Sequence, residues 1–94
     1  MNYIVMDLEW NQSYSGHIGE HPRMPFEIIE IGAVKVDKNY RIIDKYSSLI
    51  KPRIYKKLHS KIRTILNYDE TDLAKGRGFK EVCTEFLEWC GKDY

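Results

Sequence analysis

Asp7 and Glu9 stand two residues apart in Tyr-Ile-Val-Met-Asp-Leu-Glu-Trp, residues 3–10. The run is apolar, rich in β-formers and free of Pro and Gly, which predicts a buried strand from Tyr3 to Glu9. Side chains alternate along a strand, so both carboxylates point the same way. Burying two such groups without a partner costs several kcal/mol. A cation held between them removes that cost, and oxygen-only ligands favour Mg2+ or Mn2+ over zinc. The alternative, a pair of solvated acids at a strand end, fits the apolar flanks less well. The pair therefore points to divalent-metal chemistry.

Other chemistry-bearing residues carry weaker signals. His17 and His21 have the i, i+4 spacing of a metal pair, but they fall in a polar stretch with no helix to hold them, so solvent exposure is expected. From Lys45 to Tyr68 there is no acidic residue, while Lys45, Lys51, Arg53, Lys56, Lys57, Lys61 and Arg63 alternate with Tyr46 and Tyr55. Such a stripe suits a polyanion, although a solvated surface is the commoner outcome. Net charge is only +1, so bulk charge selects no partner. Cys83 and Cys90 lie seven residues apart on the same helical face, about 10 Å by helical rise, too far for a disulfide. Both are expected to be reduced core residues of a cytoplasmic protein. No segment is apolar and long enough to cross a membrane, and no signal peptide is visible.

The elements that position these residues follow from periodicity. Residues 11–25 are polar and broken by Gly and Pro, a long loop. Glu27 to Val36 reads as a second strand, Asp37-Lys38-Asn39 as a turn, and Arg41 to Ile50 as a third strand stopped by Pro52. Gly32 inside the second strand suggests a bulge or a close backbone approach. His59 to Leu66 reads as a short helix and Asn67 to Gly78 as a polar connection. Phe79 to Cys90 is the strongest helix, with Phe79, Val82, Cys83, Phe86, Leu87 and Cys90 on one stripe and Gly91 as its stop. Glu81, Glu85 and Glu88 lie off that stripe. The predicted class is α/β: three antiparallel strands followed by helices, the last serving as a crossover toward a parallel strand beside the first.

Asp7-x-Glu9, followed by Glu27-Ile-Ile-Glu-Ile-Gly-Ala-Val34 and by the Phe-x-x-Val-x-x-x-Phe-x-x-Trp spacing of residues 79–89, resembles the DEDD-type (DnaQ-like) 3′–5′ exonucleases of the ribonuclease H-like superfamily. The likeness runs from residue 3 to about residue 90. It implies a ribonuclease H-like fold, of which this chain is the N-terminal portion, residues 1–94 of a single exonuclease domain, ending before the parallel strands. It implies hydrolysis of RNA or single-stranded DNA to nucleoside 5′-monophosphates. Asp7 would bridge two divalent ions about 4 Å apart and Glu9 would bind one of them. Trp10 or Asn11, directly after the acids, would approach the terminal nucleotide, and Glu30 is open between substrate contact and hydrogen-bonded structural residue. The acidic and histidine residues of the family's later motifs have no counterpart here.

Two further readings accompany the exonuclease. With the first acidic motif alone, the chain would be a non-catalytic fragment that binds nucleic acid or a protein. With an open, apolar edge on strand one, it would pair with another copy or exchange that strand.

Overall fold

The computed structural model describes residues 1–12 and 23–94; His17 and His21 lie outside the described residues. Three strands, β1 (Tyr3–Gln12), β2 (Phe26–Val36) and β3 (Ile42–Leu49), form an antiparallel sheet in the order β1-β2-β3. Three helices follow: α1 (Ser60–Ile65), α2 (Glu70–Ala74) and α3 (Phe79–Cys90). The expected strands and the last helix are present. β1 runs three residues further than expected, because Trp10, Asn11 and Gln12 pair with Ile28, Glu27 and Phe26. The turn after β2 is built by Asp37, whose carboxylate accepts from the backbone N–H groups of Asn39 (2.8 Å) and Arg41 (3.0 Å).

One face of the sheet carries α3. Ile4 and Leu8 of β1 and Ile31 and Ala33 of β2 turn toward Val82, Phe86 and Cys90. Those three helix residues fall at i, i+4 and i+8, a narrow stripe, and each apolar side chain removed from water contributes about 1.5–3 kcal/mol. Phe79 and Leu87, expected within the stripe, flank it and are exposed. Trp89 packs on Tyr46 and Phe86, and its indole N–H donates to Asp44 at 3.0 Å. Cys90 is buried and Cys83 partly so, both as free thiols. Gly91 ends α3 at φ +70°, a conformation that favours glycine. Beyond it the Asp93 carbonyl accepts from the Asn2 N–H at 2.6 Å, beside the start of β1.

The bulge lies elsewhere than expected. Gly32 sits in regular pairing opposite Asp7 and Ser47. The register shifts instead between Glu9, opposite Glu30, and Trp10, opposite Ile28, leaving Ile29 as the extra residue of β2. Ile29 is thereby directed into a second cluster with Leu58 and Leu73, while Ile28 and Ile31 stay with α3.

Two other expectations are corrected. The stretch 67–78 contains α2, opened by a capping box in which Asp69 accepts from the Asp72 N–H and Asp72 from the Asp69 N–H, 3.0 Å each. And β1 is not buried: Val5 is 57% exposed, and Asp7 is exposed as well. The physical reason is topological. Among the described residues β1 is the edge of the sheet, and they cover its side opposite α3 only near its end.

Candidate active site

Strand alternation and register place the acids. Val5, Asp7, Glu9 and Asn11 share the face opposite α3, across from Val34, Gly32, Glu30 and Glu27 of β2. Asp7 and Glu9 thus project side by side, about 7 Å apart along the strand. Glu30 faces Glu9 directly, so three carboxylates occupy one patch. Like charges placed opposite each other destabilise a strand pair. Among the described residues neither Asp7 nor Glu9 has an ion-pair or hydrogen-bond partner. Gly32, opposite Asp7, leaves the space beside that carboxylate open, since a Cβ there would meet nothing within 4 Å.

Glu30 is restrained by Tyr68, whose hydroxyl donates to it at 3.0 Å. Burial first, then the Glu30 and Glu9 carboxylates, push the Tyr68 hydroxyl well above its ordinary pKa, so it stays a proton donor. Nothing in the sequence pattern singled out Tyr68, which reaches the patch across 38 residues.

Asn11 and Trp10 go separate ways. Asn11, expected near a nucleotide, is fully buried. Its amide donates to the carbonyls of Tyr55 and Lys57, 3.0 Å each, and its side-chain oxygen accepts from the His59 N–H at 2.9 Å. Its neighbour across the strand pair, Glu27, accepts from the N–H groups of Arg53 (2.8 Å), Ile54 (3.2 Å) and Tyr55 (2.9 Å). Together they fasten residues 53–59 across the end of the acidic face. Trp10 alternates to the other face, half exposed, with its ring edge-on to Phe26 at 6.2 Å.

The donor set fits a hard divalent cation in kind: two unpaired carboxylates, oxygen only, on an accessible face. Among the described residues no group of three or more His, Cys, Asp or Glu is arranged to hold a metal.

The exonuclease family model matches residues 4–94. The chain belongs to the exonuclease family. Solved structures of that kind share its fold: the nuclease domain of 3′hExo, described as a DEDDh family member bound to rAMP (TM-score 0.79, 19% identity, 99% of this chain and 48% of that one). A full-length 3′-exonuclease matches with TM-score 0.77 and 18% identity, covering 94% and 28% of the two chains. Cell-death related nuclease 4 matches with TM-score 0.77 and 17% identity, covering 95% and 29%. No curated protein matches. This exonuclease-family chain therefore shares the ribonuclease H-like fold, three antiparallel strands followed by helices, and it spans less than half the length of these solved chains.

Proposed function

We propose that the protein is a metal-dependent 3′–5′ exonuclease releasing nucleoside 5′-monophosphates from RNA or single-stranded DNA by a two-metal mechanism. The observation that supports it is the accessible pair Asp7 and Glu9, set on one face of an edge strand with no cation of the described residues between them. Asp7 and Glu9 would hold Mg2+ or Mn2+. When bound, such ions supply charge neutralisation at the scissile phosphate and lower the pKa of an attacking water. The remaining roles belong to the chain's own residues. Glu30, held by Tyr68, sets a third carboxylate opposite Glu9 and would add its oxygens to the patch as a cation site. Trp10 offers a half-exposed ring to a base that passes round the strand edge. Asn11 acts at one remove, by fixing the segment that borders the site.

The test uses a 5′-labelled oligonucleotide with Mn2+ and reads released mononucleotides by chromatography. Stepwise shortening from the 3′ end that disappears in Asp7→Ala and Glu9→Ala supports the proposal. Binding without release would assign the chain the non-catalytic role instead. Assembly is part of the same proposal: no described strand pairs with the outer edge of β1, which would offer its backbone groups to a second copy. Light scattering should report a dimer or larger species, reverting to monomer in Val5→Lys; a wild-type monomer removes that element.

A further inference from the structure

The basic run 51–61 has a definite place in the fold. Asn11 and Glu27, side by side at the end of the acidic face, together satisfy six backbone groups of residues 53–59. Pro52, Tyr55 and Leu58 are buried beneath the run, leaving Lys51, Arg53, Lys56 and Lys61 exposed above it. A run of lysines on a surface is ordinarily a mobile, solvated loop. This one is irregular in conformation yet pinned from below by a buried amide and a carboxylate. Its side chains are presented from a fixed backbone, so less ordering entropy opposes the binding of a partner.

Charge and position agree. Among the described residues Lys51, Arg53, Lys56 and Lys61 enter no ion pair, whereas Arg63 is taken up by Glu70. The strap is anchored at Asn11, two residues beyond Glu9 on the same face, about 7 Å along the strand. An acidic patch that would receive a scissile phosphate is thus bordered by a cationic ridge. A single strand whose 3′ end lies over Asp7 and Glu9 must carry its next phosphates off in some direction. Among the described residues the strap is fastened to this face beyond Glu9, while the exposed Lys45, opposite Val34 of β2, stands toward its other end.

We infer that residues 53–61 form a phosphate-binding strap, pinned by Asn11 and Glu27, that holds the backbone of a single-stranded nucleic acid upstream of the nucleotide at Asp7 and Glu9. The inference rests on the exonuclease proposal for the orientation of the strand, but its own readout is binding. The probe is a 5′-fluorescein single-stranded 12-mer in EDTA, followed by anisotropy from 50 to 200 mM KCl with the full chain. Lys56→Glu/Lys61→Glu should bind at least about tenfold more weakly, and the salt slope should fall by about 1.4 for two lost phosphate contacts. Lys56→Gln/Lys61→Gln, a milder change for folding, should lose about half as much in log affinity. Lys38→Glu/Lys92→Glu changes net charge equally and should stay within about twofold of wild type. A strap variant that binds within twofold of wild type, or a control pair that loses as much, overturns the inference. Loss of 3′-end hydrolysis with intact strap binding would instead sink the exonuclease proposal alone.

Discussion

The two faces of this small sheet are built by opposite rules. On the α3 side, apolar residues from all three strands close over Val82, Phe86 and Cys90, and the polar groups present are spent on holding the helix in place. Lys35 donates to the Trp89 carbonyl at 2.6 Å, and Arg77 forks onto Glu85 at 2.7 and 2.6 Å. On the other side, three carboxylates crowd one patch, two of them without an ion-pair or hydrogen-bond partner among the described residues, and the covering layer that those residues form ends at Tyr68 and the strap. The first face stores stability, while the second places like charges together at some cost to it. The difference directs the functional reading to the open face, where the two acids of β1 stand accessible on one side of the strand.

The largest effects should come from breaking the closed face. Phe86→Ala removes a buried ring from the α3 cluster and should cost about 3–5 kcal/mol in urea denaturation, close to the whole margin of a domain this size. Asp7→Ala, on the open face, should change the same midpoint by less than about 0.5 kcal/mol. Equal losses from both would erase the contrast. Asn11→Ala comes next. It strands two carbonyls and an N–H that the amide now satisfies, and it should cost about 2–3 kcal/mol. Asn11→Asp keeps an oxygen for the His59 N–H but loses both donors, and it should not rescue the melting temperature.

How much of this was legible beforehand follows from contact range. The bounds of α3 are legible to the residue, because a helix writes its period within twelve positions and Gly91 marks its end, but its buried stripe is narrower than the pattern predicts, without Phe79 and Leu87. The three strands and their turn were legible from period-two pattern and turn chemistry, and the likeness of Asp7-x-Glu9 and residues 27–34 to a known family supplied the architecture. α2 had a local signal in Asp69-x-x-Asp72 that the shorter Asp in place of the usual Glu or Gln disguised. The bulge at Ile29 could not be seen, since it answers to Leu58 and Leu73, more than twenty-five residues away. The same holds for Asn11, whose partners lie 44 to 48 residues on. Read locally, an Asn after Glu-Trp belongs to the site; only the folded chain shows its amide turned under the strap. The exposure of β1 was hidden for a related reason, because apolar alternation reports what a strand can bury and not what covers it.

The open face can be sharpened by ligand linkage. Mn2+ at 100 times its Kd should raise stability by about 2.7 kcal/mol, seen as a higher melting temperature. Asp7→Asn/Glu9→Gln should abolish that rise while melting no lower than wild type without metal, because it also removes the like-charge repulsion. A variant that still responds to Mn2+ would move the cation site away from this pair.

The smallest effect tests the closed face by pH. Hydrogen bonds from Arg77 and then from Tyr46 draw the Glu85 carboxylate from its ordinary 4.5 down to about 2. A depressed carboxylate contributes stability that is fully present above its unfolded value and lost as pH falls through the folded one. Wild type should therefore lose stability between about pH 4.5 and pH 2, and Glu85→Gln should show a flatter melting profile across that window alone. The groups are exposed, so the difference should be modest and should shrink as salt rises. A parallel pair of profiles would mean that Arg77 and Glu85 add nothing to the closed face. Its strength would then rest on the apolar stripe of α3 and on the hydrogen bonds of Trp89 with Lys35 and Asp44, shifting the contrast with the acidic face toward packing.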